Sequence, residues 1–325
     1  MPDLKIDPKL MFNNLSRNMT DVFQQNKDVQ VTIFLVAFIV ILLLVMGIYI
    51  RTKRNLNETN CNNLDEIYTD FPVISSMNPS EEKNKYLLRD YYIKTAYNSC
   101  CGGEFKNNVV NVCALKKCIQ QGARCLDFEI YSVDNKPVIA TSSVDDFFIK
   151  ETYNSVSFED AMDVINSYAF SGSTCPNPRD PLILHFRISS NNKTIYDQMA
   201  DTLQKKLSSK VLGKEYSYEF EGYNLGAVPI ANFMGKTIIS IDRSNDMFED
   251  TELKEYCNIA SNSMFMRALR NYDIQYNPNI DDLTYYNKKA MSIVMPDLGP
   301  NDANYPSGLA MSYGCQMVGM NFQNF

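Results

Sequence analysis

The stretch "SYGCQMVGMNFQNF", residues 312–325, ends the sequence with the pattern of a buried strand. Val318, Met320 and Phe322 alternate with small or polar residues, and a period of two is typical of a β-strand. At the edge of a sheet, such a strand would leave a row of backbone groups unpaired. In a closed barrel the last strand pairs with the first, so we expect residues 315–322 to close a ring against residues 91–97.

The preceding sequence alternates short apolar runs with amphipathic stretches. Strands are predicted at 91–98, 124–130, 136–141, 181–188, 236–241 and 289–295. Helices are predicted at 109–121, 158–170, 195–211 and 251–270. This alternation over a length close to the roughly 250 residues of an eight-stranded barrel predicts an α/β fold of the TIM-barrel type.

Composition narrows the possible partners. The chain has 31 basic and 38 acidic residues and a net charge of -7, which gives no basic footprint for nucleic acid. The nine cysteines include no C-x-x-C pair, so we do not expect a zinc site. No cofactor is predicted. Cys100-Cys101-Gly102-Gly103 could be a redox device, but a glycine turn after a strand explains it as well.

Residues 31–50, "VTIFLVAFIVILLLVMGIYI", form an uninterrupted apolar run. At about 1.5 Å per residue such a run spans a hydrocarbon core of about 30 Å, so it is predicted to be a transmembrane helix that contacts the lipid bilayer. A buried core helix or a signal peptide are the alternatives. The predicted organisation is a tail at 1–29, a span at 30–50, a basic stop and polar linker at 51–86, and a barrel at 87–325.

Membrane orientation rests on two observations. "RTKR", residues 51–54, follows the span directly, whereas the basic residues before the span alternate with acidic ones. The odd number of cysteines lacks the spacing of a disulfide scaffold. Both observations favour a barrel on the cytoplasmic side.

Several stretches of the sequence resemble one enzyme family. "NYPSGLAMSYGCQMVGMNFQ", residues 304–323, is similar to the end of the catalytic barrel of eukaryotic-type phosphoinositide-specific phospholipase C, which reads Gly-Cys-Gln-Met-Val-Ala-Leu-Asn-Phe-Gln. "YYIKTAYNS", "GARCLDFEIYSVDNKPVIATSS", "PLILHFRISSN" and "MGKTIIS" resemble earlier strands of that barrel in the same order. The resemblance covers Leu87 to Gln323 and implies a phospholipase-C-like TIM barrel.

The residues that carry the family's chemistry differ here. The family cleaves its phosphodiester with two histidines, and the resemblance places Tyr97 and Thr141 at those positions. His185 is the only histidine in the chain and falls on the fourth strand of the resemblance. One imidazole without its partner cannot carry two proton transfers, so we expect His185 to be a core or barrel-lining residue.

The metal position is altered too. The resemblance implies a Ca²⁺ site made of an Asn and three carboxylates, and Asn98, Asp127 and Glu129 match three of those ligands. Arg187 replaces the fourth. We therefore expect a vestigial site without metal, in which the guanidinium pairs with Asp127 or Glu129.

The residues at the family's substrate-binding positions also differ in this chain. The family's two phosphate-binding lysines correspond to Ser240 and Asp242, and its Ser-Arg-x-Tyr-Pro motif corresponds to residues 292–296, with Ile293 and Met295 at the Arg and Tyr positions. The basic clamp has become neutral and acidic. We expect this pocket to repel inositol phosphates.

Two hypotheses follow. The first is a membrane-anchored pseudoenzyme that acts as a structural or interaction protein. A chain without Trp and rich in Asn indicates an AT-rich genome, and with a single span it would suit the inner membrane of a large DNA virus particle, with other membrane or capsid proteins as partners. The alternative is an active lipid phosphodiesterase with rearranged groups drawn from Tyr97, His185, Asp127 and Glu129.

Overall fold

The computed structural model describes residues 27–78, 80–82, 85–144, 149–217, 224–300 and 302–324. Most of the predicted tail at 1–29 lies outside the described residues. The chain divides into two units, Met1–Leu56 and Asn57–Phe325, which are described separately.

The first described element is a helix, α1, at Lys27–Ile67. It contains the apolar run at 31–50, none of whose side chains is buried, and it is long and apolar enough to cross a membrane. Within the described residues no other helix meets both criteria. The predicted span is therefore a helix that could cross a bilayer.

In the stretch predicted to be a basic stop and polar linker, 51–86, α1 continues without a break to Ile67. Asn60 and Leu64 are buried and lie one turn apart on the helix, so this stretch has an inward face. The first proline after the span is Pro72, and neither proline nor glycine interrupts the helix between residues 51 and 67.

The described residues of the second unit form ten strands and six α-helices that are shorter than α1. The strands are β1 Ile93–Ala96, β2 Cys125–Val133, β3 Lys136–Ile139, β4 Val156–Ser157, β5 Leu182–Ile188, β6 Thr237–Asp242, β7 Ile259–Ser261, β8 Met266–Arg270, β9 Met291–Met295 and β10 Met317–Met320. The helices are α2 Val112–Gln120, α3 Phe158–Tyr168, α4 Lys193–Leu207, α5 Asn271–Gln275, α6 Ile280–Asn287 and α7 Gly308–Ser312. Eight strands form one parallel ladder in the order β7-β6-β5-β2-β1-β10-β9-β8, which is a nearly closed barrel.

The terminal strand lies inside this ladder, as predicted. β10 pairs in parallel with β1, with Ile93 opposite Met317 and Ala96 opposite Met320, and with β9 on its other side. The two ends of the ladder are β7 and β8, and the Ser263 N–H between them donates to the Met266 carbonyl (3.0 Å). The first and last strands of the chain thus lie in the middle of the ladder.

The predicted helix at 251–270 is wrong. Its first part forms a 3₁₀ helix at Glu252–Tyr256, and the rest forms β7 and β8. Asn262 has a positive φ of 57°, which ends regular structure between the two strands. The Asn258 side chain accepts a hydrogen bond from the Ile239 N–H (2.8 Å) and so fixes the entry to β7 beside β6.

The β2–β3 hairpin stands outside the barrel ladder. β3 pairs antiparallel with β2, and Asp134 and Asn135 form the turn with φ values of 51° and 58°. Both residue types tolerate this left-handed conformation, which the tight hairpin turn requires. The hairpin lengthens β2 beyond the barrel and places Tyr131 next to the barrel mouth.

One disulfide corrects the interpretation of the cysteines. Cys61 on α1 and Cys113 on α2 are bonded across a separation of 52 residues. The other seven cysteines, among them Cys125 and Cys315 on or beside the barrel strands, are buried thiols. Cys100 and Cys101 are not bonded to each other, and burial raises the pKa of Cys101 to about 12. Cys100 lies in a turn after β1, whereas Cys101 pairs with Val110 in an isolated β-bridge.

Candidate functional site at the barrel mouth

The residues that correspond to the expected active site lie toward the carboxyl ends of the barrel strands. Asn98 follows β1, Asp127 and Glu129 lie on β2, and Arg187 lies on β5. Because β2 and β5 pair in register, Asp127 is opposite His185 and Glu129 is opposite Arg187. The carboxyl end of a parallel barrel is where enzymes of this architecture carry their active sites.

Arg187 holds the centre of this group. Its Nη2 donates to Asn98 Oδ1 (2.7 Å) and to Asp127 Oδ2 (2.9 Å), and its Nε donates to Asp127 Oδ1 (3.1 Å). Its Nη1 lies 3.6 Å from Glu129 Oε2. The guanidinium also stacks over the Tyr97 ring, 4.8 Å from the ring centre. The structure therefore brings all four vestigial metal positions together around one cation.

Asp127 is the most constrained carboxylate of the site. Besides Arg187, it accepts hydrogen bonds from the Asn98 N–H (3.1 Å) and from His185 Nδ1 (2.7 Å). Burial alone would raise the pKa of Asp127, but Arg187 and the His185 hydrogen bond outweigh burial and hold this pKa well below its usual range. Asp127 is therefore ionised, and an ionised carboxylate can only accept, so His185 Nδ1 carries the hydrogen.

His185 continues a buried chain of hydrogen bonds. Its Nε2 lies 2.9 Å from Ser261 Oγ, at the end of β7. With Nδ1 protonated, Nε2 of a neutral ring accepts from the Ser261 hydroxyl. Ser261, His185 and Asp127 thus have the connectivity of a Ser-His-Asp triad. All three residues are 0% exposed, so the expectation that His185 lines the barrel interior is confirmed.

Glu129 has a different environment from Asp127. Tyr131 donates a short hydrogen bond to Glu129 Oε1, and the Ser142 N–H donates to Oε2 (3.4 Å). Burial raises the pKa of Glu129, and the negative charge of Asp127 adds to that effect, while Arg187 opposes it only in part. Two neighbouring carboxyl groups are therefore held with their pKa values shifted in opposite directions.

Neither residue at the family's histidine positions is placed for proton transfer. Thr141 is buried, and its hydroxyl donates to the Phe105 carbonyl (2.7 Å). Tyr97 packs edge-to-face on the Phe105 ring, and its hydroxyl accepts from Arg270 Nη1 (3.3 Å).

The expected phosphate-binding positions separate into two groups. Ser240 and Ile293 are fully buried in the barrel, and the Ser240 hydroxyl points at Met266 Sδ (3.5 Å). Asp242 and Met295 line a mouth cavity of about 120 Å³ together with Arg187. The Asp242 carboxylate accepts from the Ser244 N–H (2.9 Å) and from Asn262 Nδ2 (2.8 Å).

Arg270 corrects the expectation of a neutral and acidic pocket. It ends β8, lines the same cavity, and donates from Nη1 to the Pro296 carbonyl (2.9 Å) as well as to Tyr97. The sequence analysis missed it because residues 251–270 were predicted to be a helix. The mouth therefore contains two guanidinium groups, of which Arg187 is neutralised by Asp127.

The residues at the metal position do not fit Ca²⁺. Ca²⁺ needs six to eight oxygen ligands at about 2.3–2.6 Å. Here two of the candidate oxygens, Asn98 Oδ1 and Asp127 Oδ2, accept hydrogen bonds from the same guanidinium nitrogen at 2.7 and 2.9 Å. The Arg187 guanidinium therefore lies where a Ca²⁺ ion would have to bind.

Comparison with known proteins identifies the barrel. Residues 85–241 match the family model for the X domain of phosphatidylinositol-specific phospholipase C. This match covers just under half of the chain. The sequence matches none of the curated proteins with which it was compared.

Solved structures support the same fold for the whole barrel. PLC21 of L. pealei superimposes with a TM-score of 0.57 at 18% identity, covering 74% of this chain and 34% of that protein. PLC21 of S. officinalis gives 0.57 at 19% identity with the same coverage. A calcium-dependent phosphoinositol-specific phospholipase C from Pseudomonas sp. gives 0.50 at 7% identity, covering 76% of this chain and 93% of the enzyme. The chain spans about a third of the length of the two PLC21 proteins.

Three partners of the central site residues could not be predicted from the sequence. Ser261 and Arg270 lie in the stretch predicted to be a helix, so nothing placed them at the mouth. Tyr131 lies one residue beyond the strand predicted at 124–130, and the longer β2 of the structure brings its hydroxyl to Glu129. The alternating pattern around Tyr131 was the available signal, since Glu129 and Tyr131 lie two residues apart on one face of β2.

Proposed function

We propose that this chain is a membrane-anchored pseudoenzyme whose phospholipase-C-like barrel serves as a structural or interaction module. The observation that carries the proposal is the Arg187 guanidinium, which donates to both oxygens of Asp127 and to Asn98. It occupies the position where a catalytic cation would have to polarise a phosphate. The proposal therefore rests on the chemistry of the site and not on the fold.

The contacts of Thr141 and Tyr97 also support the proposal, because they bear on proton transfer. Cleavage of a phosphodiester through a neighbouring hydroxyl needs a base to remove a proton and an acid to protonate the leaving group. The Thr141 hydroxyl donates to a backbone carbonyl, and Tyr97 has an arginine at its hydroxyl and another over its ring.

The test is an assay of the full chain in lipid nanodiscs containing phosphatidylinositol or its phosphates. We expect no release of inositol phosphates with Ca²⁺ or with chelator. The matched comparison is a triple variant, Tyr97→His, Thr141→His and Arg187→Glu, which restores the residue types of the family. Ca²⁺-dependent turnover by the unmodified chain that Asp127→Asn abolishes would overturn the proposal.

An active lipid phosphodiesterase with rearranged groups is the second candidate, and the Ser261–His185–Asp127 chain is the observation that favours it. The burial of Ser261 argues against this candidate. A nucleophile must contact the substrate, and Ser261 is 0% exposed. Tyr97 and Glu129 border the same mouth. If this candidate is correct, a serine-reactive phosphonate will label Ser261, and His185→Gln will abolish both labelling and lipid turnover.

The membrane and partner assignments are part of the proposal. We propose that residues 31–50 of α1 anchor the chain in a bilayer and that the barrel binds other membrane or capsid proteins in a particle of a large DNA virus. The length and apolar character of α1 support the anchor. Crosslinking of intact particles followed by mass spectrometry tests the partner, and recovery of the chain only from cellular membranes would contradict the particle assignment.

A further inference from the structure

The outer face of β1 and β10 carries an apolar groove of about 380 Å³. Its floor comes from residues that point out of the barrel, and its walls come from the segment after α1, from α7 and from the chain after β10. We call it the aromatic groove, and its main lining residues are Lys94, Val318, Met311, Tyr68, Phe71 and Phe322. It shares no lining residue with the mouth cavity.

The aromatic groove is a preformed feature of the fold. The Tyr68 hydroxyl donates to the Phe322 carbonyl (2.8 Å), and the Tyr68 ring lies 5.4 Å from Phe71 and 5.9 Å from Phe322. The Tyr92 hydroxyl donates to the Met311 carbonyl (2.9 Å). These contacts fix the walls without filling the space between them.

Lys94 is the charged residue of the aromatic groove. Its Nζ donates to the Gln121 carbonyl (2.7 Å) and lies 5.5 and 5.7 Å from the ring centres of Phe71 and Phe322. None of the described residues that line the groove is acidic, and within the described part of the chain no carboxylate pairs with Lys94. Charged groups that are partly buried in proteins usually have a partner of opposite charge. An anionic group bound in the aromatic groove would supply that partner for Lys94.

A second cavity meets the groove at the same lysine. It measures about 270 Å³ and shares Lys94, Ile74 and Tyr92 with the aromatic groove. Its acidic lining residue, Asp180, accepts from the Met77 N–H (3.0 Å). Apolar space therefore extends to both sides of the ammonium group.

We propose that the aromatic groove binds a single-chain fatty acid, with the carboxylate on Lys94 Nζ and the hydrocarbon tail along Phe71, Val318 and Phe322. Charge complementarity selects an anionic head group, and the apolar lining selects an aliphatic tail. The volume lies within the range of about 300–1,000 Å³ that is typical of small-molecule sites. Burial lowers the pKa of Lys94, and a bound carboxylate would reverse that effect by stabilising the ammonium form.

The experiment uses the full chain in nanodiscs with a photoreactive diazirine analogue of palmitic acid, followed by peptide mapping. Palmitate and its methyl ester are the competitors, since they share a tail and differ in charge. Lys94→Met removes the ammonium group, and Met311→Trp fills the groove. Lys210→Met is the matched control, because Lys210 Nζ also lies over a phenylalanine ring, 4.9 Å from Phe170, but lines neither cavity.

We expect labelling of peptides that contain residues 68–74 or 311–322, with palmitate competing at least tenfold better than the ester. Lys94→Met should remove that preference, Met311→Trp should remove the labelling, and Lys210→Met should change neither. Equal competition by acid and ester, or labelling confined to residues 31–50, would overturn the proposal. So would a crosslinked dimer through the groove, which would assign this face to a second copy of the chain.

Discussion

Arg187→Ala is the most direct perturbation of the barrel mouth. The change removes three hydrogen bonds to Asp127 and Asn98 and an ion pair with Glu129, and it leaves Asp127 0% exposed. Removing one partner of a buried ion pair costs about 3–5 kcal/mol, because the remaining charge has no compensation. Asp127 keeps its hydrogen bonds from the Asn98 N–H and from His185, so we expect the lower end, about 3 kcal/mol.

That loss should be visible in a thermal melt. For a domain of this size about 1 kcal/mol corresponds to roughly 2–4 °C, so the melting temperature should fall by about 6–12 °C. The chain has no Trp and 20 Tyr, so near-ultraviolet circular dichroism of the tyrosines is a suitable signal. This near-ultraviolet signal reports the packing of tyrosines in the barrel rather than the helicity of α1.

Two variants test whether the effect belongs to the buried contacts. Arg187→Lys keeps the charge but loses the planar fork, and we expect it to recover less than half of the loss. Arg243→Ala removes a half-exposed arginine that pairs with Glu249 (2.7 Å), and such pairs contribute about 0–1 kcal/mol. A loss for Arg187→Ala no larger than that for Arg243→Ala would refute the argument.

The same thermal melts, repeated with Ca²⁺ and with chelator, test the metal site. We expect the unmodified chain to melt at the same temperature with Ca²⁺ and with chelator, because the guanidinium already neutralises Asp127. Arg187→Glu restores a fourth oxygen ligand, and we expect Ca²⁺ to raise its melting temperature through preferential binding to the folded state. Stabilisation of the unmodified chain by micromolar Ca²⁺ would show that the metal site functions and would reopen the enzyme hypothesis.

Three further predictions concern the rest of the second unit. Cys113→Ser should lower the free energy of unfolding by about 4 kcal/mol, because the bond to Cys61 closes a loop of 52 residues, and denaturant titration without reductant measures it. Burial raises the pKa of Glu129, so stability of the unmodified chain relative to Glu129→Gln should fall as pH rises above about 4.3 and level off above the folded-state pKa; parallel melts from pH 4 to 8 check the sign. A chain ending at residue 310 should fail to give a cooperative melt, since β1 and β9 both lose the strand between them; a cooperative melt would show that closure is dispensable.

The disulfide also bears on membrane orientation. Structural disulfides persist in oxidising compartments, so the bond between Cys61 and Cys113 favours a barrel on the side away from the cytosol. The sequence analysis favoured the opposite side from "RTKR" and the odd number of cysteines. Protease protection of intact membranes separates the two, since the barrel is degraded only when it faces the added protease.

The sequence predicted the barrel where its signals were local or carried by the family resemblance. The alternation at 315–322 indicated a buried strand, and Gln316 shows why that strand fits only one place. Its Oε1 accepts from the Ser292 N–H (2.8 Å), and its Nε2 donates to the carbonyls of Arg89 (3.0 Å) and Asn287 (3.1 Å). One side chain thus ties β10 to β9 and to the segment before β1.

The predictions from sequence failed where the structure depends on contacts between residues that are distant in the sequence. Residues 251–270 form two strands because Asn258 is held by Ile239 of β6, and no pattern within the stretch records that contact. The disulfide was missed because the odd number and the spacing of the cysteines did not suggest a pairing, and Cys61 was assigned to a polar linker although it lies on a helix. The partners of His185 and Tyr97 were lost with the same stretch, since Ser261 and Arg270 belong to the two strands.

The residue at position 187 decides how this barrel mouth balances its charge. A neutral side chain would leave the buried Asp127 and Glu129 carboxyl groups without a counter-charge, and a carboxylate would require a bound metal ion. An arginine supplies a cation that is permanently charged, cannot dissociate, and matches the two oxygens of Asp127 with its planar fork. The mouth can therefore keep its shape at any Ca²⁺ concentration, whereas the ligand oxygens that a catalytic ion would use are already occupied. Under the function proposed above, stability of the barrel and metal-dependent catalysis at this site are alternatives, and we expect Arg187 to favour stability.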